Sequence, residues 1–198
     1  FAVFLGLRSE NKYDTTSEKL FERIEKELIS PKEKMELLKH YVYSVIIQHE
    51  DMHTKNLSLI YDKDLVFFAP LYDVSCTGIY DTSKGYDTHL TINGKQSNIR
   101  PNDFKALCKI LKIDFKEFKE EAFKIAKLYE IELPSYIEEI KALGSIPFYK
   151  KKQKPRIGEG AYLKVSKIPI EFHELLSKFH KERVEHLKAL GWIINESL

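Results

Sequence analysis

Residues 49–73, HEDMHTKNLSLIYDKDLVFFAPLYD, contain the clearest local signals of secondary structure in the sequence. This stretch opens with polar residues at the predicted end of a helix. Two short β-prone runs follow, 57–61 and 65–69, separated by the turn-forming residues 62–64. Pro70 ends the second run, because proline cannot donate to a strand ladder. The segment therefore predicts a helix that leads directly into a β-hairpin.

The predicted hairpin brings together Asp51, Asn56 and Asp73. Asn56 stands before the first strand and Asp73 directly after the second, and a short hairpin places its two ends side by side. Asp51 lies five residues before Asn56. Carboxylate and amide oxygens are the ligands that Mg²⁺ takes together with nucleotide phosphates. The spacing Asp-x-x-x-x-Asn, followed by a hairpin and a further Asp, is that of the catalytic and metal-binding loops of protein kinases.

Two helices are predicted before this segment. Thr15 with Glu18 three residues later is typical of a capping box at the start of the first helix. The helix is expected to stop at Ser30-Pro31, and the same residues begin the second helix, with Ser30 as N-cap and Glu33 closing a second box. Apolar residues recur along the second helix through Ile46, which predicts a central buried helix. The apolar stripe of the first helix consists of Leu20, Phe21, Ile24 and Leu28.

After the hairpin the sequence predicts mainly helices. Asn93-Gly94 is typical of a tight two-residue turn within a second short strand pair. A final amphipathic helix is expected from about Pro169 to Leu190, with Gly191 as its stop. The remaining helices are expected over 101–111, 114–130 and 134–143. The fold class is therefore mainly α with small β-hairpins (α+β), and residues 1–198 are interpreted as a single domain.

The composition excludes several classes of protein. The chain has 198 residues, of which 43% are hydrophobic, and its 32 Lys and Arg nearly balance its 30 Asp and Glu. This is enough chain for one globular domain, and no apolar run approaches the roughly 20 residues that span a bilayer. The opening residues 1–7 lack a basic leader and a cleavage site, so a secretory signal is not expected. Cys76 and Cys108 indicate no disulfide framework and suit a cytoplasmic location.

Five segments together resemble a known family, the HipA-type toxin kinases. Residues 49–56 (HEDMHTKN), 69–74 (APLYDV), 89–95 (HLTINGK) and 100–107 (RPNDFKAL) look like the C-terminal lobe of these kinases. The leading segment FLGLRSENKYD, residues 4–14, resembles the part just upstream of it. The resemblance extends from the first residue to about Leu143. The DxHxKN and LYDV motifs are specific in combination.

This resemblance implies a serine/threonine protein kinase with a kinase-like fold, which acts as the toxin of a bacterial toxin–antitoxin pair. Its cofactors would be ATP and Mg²⁺. Carried over residue by residue, Asp51 is the catalytic base, and Asn56 and Asp73 hold Mg²⁺. The residues implied to lie at the nucleotide are His53, Lys55, Asn56, Tyr72 and Asp73.

The implied partners are a protein substrate, an N-terminal kinase lobe and a HipB-type antitoxin, with an indirect association with DNA through the antitoxin. No membrane partner is expected. The family's glycine-rich loop and ATP-pairing lysine belong to the N-terminal lobe, and nothing in this chain matches them. The opening apolar segment suggests that an N-terminal part is missing, so the chain alone is expected not to turn over ATP. Residues 144–198 inherit no role from the resemblance.

Two other functions fit parts of the same sequence. His49, Glu50 and His53 form a literal H-E-x-x-H, the zinc metalloprotease signature, in which two histidines one helical turn apart bind Zn²⁺. That motif belongs in the middle of a helix, whereas here a strand follows at once, which favours the kinase interpretation. The second alternative is a non-catalytic pseudokinase that serves as a partner-binding module.

The C-terminal part offers weaker signals. Five basic residues occur within seven positions, which would suit the phosphates of DNA or RNA. The near-neutral net charge instead favours a solvated loop over 149–160. His173 and His180 are expected at the edge of an apolar stripe rather than at a metal, and the two cysteines as idle thiols. The basic residues are Lys150, Lys151, Lys152, Lys154 and Arg156.

Overall fold

The structure of the chain is a computed structural model that describes residue 6 and residues 15–28, 30–63, 65–152 and 166–194. These residues form five α-helices and two antiparallel strand pairs, in agreement with the predicted mainly helical α+β class. The helices are α1 (Ser17–Ile24), α2 (Pro31–Ile46), α3 (Lys105–Leu111), α4 (Phe115–Ala142) and α5 (Phe172–Leu190). The strands are β1 (Leu59–Asp62), β2 (Leu65–Phe68), β3 (Pro147–Lys152) and β4 (Ser166–Glu171). The motif at residues 4–14 lies outside the described residues apart from Gly6.

Helix α1 starts one residue later than predicted. Thr16, not Thr15, is its N-cap, and the Thr16 side chain accepts a hydrogen bond from the Lys19 N–H. The helix ends at Ile24 rather than at Ser30, but the whole predicted stripe from Leu20 to Leu28 is buried. These apolar side chains hold this part of the chain in the core, although Leu28 lies beyond the end of the regular helix.

Helix α2 forms the centre of the core, as predicted. It begins with Ser30 at the N-cap and Pro31 at the first helical position, where the missing N–H costs nothing. The predicted second box does not form, because the Glu33 carboxylate accepts a hydrogen bond from the Phe68 N–H at 2.7 Å. Helix α2 packs against α3, α4 and strand β2. Its buried apolar residues are Met35, Leu37, Leu38, Tyr41, Val42, Val45 and Ile46.

The predicted hairpin is present. Strand β1 pairs antiparallel with β2, and Leu59 lies opposite Phe68. Lys63 in the turn adopts a positive φ of 52°. The second predicted strand pair, around Asn93-Gly94, is reduced to a single bridge between Ile92 and Lys95, although both central residues adopt the left-handed conformation of a tight turn.

The predicted break between residues 130 and 134 is wrong. Helix α4 runs without interruption from Phe115 to Ala142 and contains Pro134 in its interior. Proline removes one helical hydrogen bond and usually ends or kinks a helix. Pro134 is exposed, and the Ser135 hydroxyl donates to the Glu132 carbonyl within the same turn. The packing of α4 against α2 and α5 holds the two halves in one helix.

The C-terminal region also differs from the sequence-based expectation. The predicted basic loop begins with a strand, because Lys150 to Lys152 lie in β3, paired with β4. Helix α5 therefore starts at Phe172 rather than near Pro169, and it ends at Gly191, where a φ of 81° forms the expected cap. Lys154 and Arg156 lie outside the described residues. Among the described helices, none is long and apolar enough to cross a membrane.

Candidate functional site

The hairpin brings Asn56 and Asp73 into direct contact, as the sequence predicts. Asn56 Nδ2 donates a hydrogen bond to Asp73 Oδ2 at 2.7 Å. Asn56 is buried, and its Oδ1 accepts from the His53 N–H at 2.8 Å, which closes a short 3₁₀ turn over 54–56. Asp73 is exposed and has a φ of 52°, a conformation that Asp and Asn tolerate better than most residues. A fixed amide thus lies beside a solvent-facing carboxylate.

Tyr72 and Lys55 close the mouth of the hairpin. The Tyr72 hydroxyl donates to the Lys55 carbonyl at 2.6 Å and shares a hydrogen bond of 2.7 Å with the Ser58 hydroxyl. These contacts join the residue before Asp73 to the chain on either side of Asn56. The Lys55 side chain is exposed at this edge. Tyr72 therefore helps to fix the separation of the two ends of the hairpin.

Asp51 and Asp73 both lie close to the buried ring of His49. Burial lowers the pKa of His49, while the negative charges of Asp51 and Asp73 partly oppose that effect. Asp51 is exposed, and His53 is buried next to Asn56. The structure thus brings the predicted residues Asp51, Asn56 and Asp73 to one region, with both carboxylates near the ring of His49.

The metalloprotease alternative requires a geometry that this segment does not have. Helix α2 ends at Ile46, so His49 and His53 do not lie one turn apart on a helix. The Glu50 carboxylate accepts hydrogen bonds from residues 83–86 instead of facing the two histidines. Within the described ranges, no group of three or more His, Cys, Asp or Glu side chains could hold a metal ion.

The side chains beside the hairpin can be compared with the ligands of a magnesium ion that is bound together with phosphate. Asp73 offers a solvent-facing carboxylate, which is a hard ligand, whereas the Asn56 amide turns its Nδ2 to Asp73 and its Oδ1 to the His53 N–H. Mg²⁺ commonly uses one or two protein oxygens and completes its shell with water and substrate phosphates. Asp73 therefore fits as one ligand of such an ion, and Asn56 would add its amide oxygen once the amide group turned to exchange Nδ2 and Oδ1.

A buried ion pair behind the site was not identified from the sequence. Arg183 of α5 donates to Asp87 Oδ1 at 2.7 Å, to the Ile46 carbonyl at 3.0 Å and to the Val45 carbonyl. It thereby binds the last carbonyls of α2, immediately before the segment 48–56 that carries Asp51 and Asn56. Nothing in local spacing reveals this contact, since Arg183 is 137 residues from Ile46.

The other titratable residues that the sequence singled out have ordinary structural surroundings. Burial raises the pKa of Cys76 to about 11 and that of Cys108 to about 12, so neither thiol is readily ionised. His180 is buried, shares a hydrogen bond with the Tyr129 carbonyl and has a pKa lowered by burial. His173 is half-buried at the start of α5.

Comparison with known proteins gives one family. The family model described as "HipA-like C-terminal domain" matches residues 1–142. No curated protein sequence matches the chain significantly.

A solved structure shares the fold. It is the complex of the toxin–antitoxin system HipA and HipB of Shewanella oneidensis MR-1 with its operator DNA, which superposes with a TM-score of 0.63 at 14% sequence identity. The match covers 96% of this chain and 42% of the solved one. The chain thus spans about two-fifths of the length of that relative.

Proposed function

Because the chain belongs to the family of HipA-like C-terminal domains, we propose that it carries the catalytic and Mg²⁺-binding loops of a serine/threonine protein kinase of the toxin type. The hydrogen bond between Asn56 and Asp73 across the mouth of the hairpin is the observation that supports this function most strongly. It joins the two residues that the kinase spacing assigns to the metal, with Asp51 on the same loop as Asn56.

The proposed reaction transfers the γ-phosphoryl group of ATP to the hydroxyl of a protein serine or threonine. The bond from the hydroxyl oxygen to the γ-phosphorus forms while the bond to the bridging oxygen breaks, and ADP leaves. Asp51 orients the hydroxyl and accepts its proton. Asn56 and Asp73 would hold Mg²⁺, which supplies positive charge that screens and orients the phosphate oxygens.

The fixed surroundings of these residues contribute to catalysis through positioning. The Asn56 side chain is held between His53 and Asp73, so its place beside Asp73 is set before a nucleotide binds and only its amide group has to turn to offer Oδ1 to the ion. His53 and Lys55 are proposed to lie beside the phosphates. The nucleotide itself requires an N-terminal lobe, in the same polypeptide or as a separate chain.

Phosphoryl transfer by the two-lobed enzyme tests this proposal. Asp51→Asn and Asp73→Asn should each lower the transfer of labelled phosphate from ATP by roughly 100-fold or more. Asn is chosen at position 73 because it accepts the left-handed backbone that Ala would strain. Asp62→Asn, in the exposed end of β1, is the matched control and should retain activity. Full activity of both site variants would refute the kinase function, and nucleotide binding by the unmodified enzyme without any transfer would indicate a pseudokinase.

We also propose a HipB-type antitoxin as a partner, with an indirect association with operator DNA through it. The support is the shared fold with a toxin that was solved in complex with HipB and DNA. Size-exclusion chromatography with a HipB-type protein from the same organism should give a single complex, and separate elution would contradict the partnership.

A further inference from the structure

Loop 77–89, which follows the hairpin, is tied to the segment that carries Asp51. The Glu50 N–H donates to the Thr77 hydroxyl at 2.7 Å, and that hydroxyl donates to the Gln48 carbonyl at 2.8 Å. His49 and Thr88 form a parallel bridge at the other end of the loop. The loop is therefore joined to residues 48–50 at both of its ends.

The Glu50 side chain makes the central connection. Its Oε1 accepts from the Ser83 hydroxyl at 2.5 Å, from the Gly85 N–H at 2.7 Å and from the Tyr86 N–H at 3.0 Å. Its Oε2 accepts from the Lys84 N–H at 3.0 Å. One carboxylate therefore binds four donors within four consecutive residues. Hydrogen bonds to a charged acceptor are stronger than those between neutral groups.

The protonation of Glu50 agrees with this geometry. Burial on its own would raise the pKa of Glu50, but the hydrogen bonds from Ser83 and from the three backbone N–H groups outweigh it and leave the pKa below its usual value. The carboxylate is therefore ionised at neutral pH, which is the form that accepts all four hydrogen bonds.

The tied loop forms one wall of a hollow that reaches Asp51. The hollow has a volume of about 310 Å³, and Asp51, Thr82, Ser83 and Tyr86 are among its lining residues. If Asp51 is the base of the proposed kinase, the hydroxyl that it deprotonates must enter from this side. The position of the loop then determines how an acceptor polypeptide meets the base.

We propose that Glu50 is a positioning residue which holds loop 77–89 beside Asp51 and so forms the binding site for the acceptor polypeptide without any modification of the loop. This inference rests on the proposed kinase function. Its effect is on the binding and orientation of the acceptor, and it leaves the binding of ATP unchanged.

Glu50, which anchors the loop, has the opposite charge to the residue that usually occupies this position in protein kinases. In the kinase catalytic loop H-R-D-x-x-x-x-N the residue before the aspartate is an arginine, and many kinase activation loops are ordered when a phosphate pairs with arginines. Here the corresponding residue is Glu50, and its partners are donors of the unmodified loop. A phosphate on Ser83 would face a carboxylate, so it should release the loop instead of ordering it.

Hydrogen exchange of the chain itself tests the anchor independently of any enzymatic activity. Glu50→Gln replaces one carboxylate oxygen with a donor that faces other donors, so the amides of Lys84, Gly85 and Tyr86 should exchange roughly 10- to 100-fold faster. Glu139→Gln, on the exposed face of α4, is the matched control and should leave these rates unchanged. Unchanged exchange in Glu50→Gln would overturn the anchor whatever the activity of the protein.

Steady-state kinetics of the two-lobed enzyme tests the role in acceptor binding. Glu50→Gln and Ser83→Asp should both raise the KM for the protein acceptor roughly tenfold or more while the KM for ATP stays constant, and Ser83→Ala should have a smaller effect. Equal changes in both KM values, or higher activity in Ser83→Asp, would overturn the positioning role. If the unmodified enzyme transfers no phosphate, the kinase function and the acceptor role both fail, while the exchange result still decides whether Glu50 anchors the loop.

Discussion

His40 is a buried histidine that makes the stability of the fold depend on pH. It lies in α2 with its ring edge-on to Phe68, and burial, with a smaller contribution from His49, lowers its pKa to about 4. Between pH 6.5 and about 4 the unfolded chain binds a proton that the folded chain does not. The free energy of unfolding should therefore fall as the pH is lowered through this range, by up to about 3 kcal/mol.

Urea denaturation at a series of pH values checks this prediction. His40→Phe keeps an aromatic ring against Phe68 but cannot titrate, so the difference in unfolding free energy between the two proteins should vary with pH below 6.5 and be constant above about 7. Burial also lowers the pKa of His49 and of His180, which is why the comparison with the variant is needed. Parallel pH profiles would show that His40 does not cause the effect.

At the scale of single residues, the sequence identified Asn56 and Asp73 because a hairpin must bring its ends together. The sequence did not predict the hydrogen-bond partners of Glu18 and Glu33. Both were predicted to close capping boxes, but Glu18 accepts from the Asn93 N–H and Glu33 from the Phe68 N–H, each at 2.7 Å. A carboxylate in the first turn of a helix can bind a local or a distant N–H, and local spacing does not distinguish the two.

At the scale of elements, Pro134 provides the sharpest test of helix α4. Proline in a helix interior costs about 3 kcal/mol relative to alanine. Pro134 is exposed, so replacing it should change little besides the helix itself. Pro134→Ala is expected to stabilise the chain by about 2–3 kcal/mol, measured by urea denaturation. Leu128→Ala, on the exposed surface of the same helix, is a control for the loss of a side chain alone. An unchanged free energy of unfolding in Pro134→Ala would mean that the helix is interrupted at this residue.

The elements that the sequence predicted correctly are those with strong local signals. Helix α2 has a proline at its start and a long apolar pattern, and helix α5 has a glycine at its end. Strand β4 was missed because its residues continue into the amphipathic pattern of α5, and its partner β3 is basic rather than apolar. Two strands that pair across an intervening segment are not recognisable from the residues of either strand alone.

At the scale of the whole molecule, the buried pair Arg183–Asp87 joins the C-terminal helix to the site. Both side chains are nearly inaccessible to solvent, and Asp87 also accepts from the Ile99 N–H at 3.0 Å. Arg183→Leu would leave the buried Asp87 carboxylate without its cation and would remove one donor each from the carbonyls of Val45 and Ile46. The expected loss of unfolding free energy is about 3–5 kcal/mol.

A double-mutant cycle in chemical denaturation measures this coupling. Arg183→Leu combined with Asp87→Asn should cost less than the sum of the two single variants, because the second change removes the buried unpaired charge. Arg23→Leu on the exposed face of α1 serves as a control for the loss of an arginine. Additive effects would contradict a role for the pair in holding α5 against the end of α2.

Nuclear magnetic resonance of the chain, with Mn²⁺ as a paramagnetic substitute for Mg²⁺, tests whether Asn56 and Asp73 form a divalent-cation site at the mouth of the hairpin. Substoichiometric Mn²⁺ should broaden the Asn56 side-chain amide signals and the backbone amides of Asp73 and His53 first, excess Mg²⁺ should restore them, and Asp73→Asn should abolish the effect. Broadening that is centred elsewhere, or that persists unchanged in Asp73→Asn, would contradict the account.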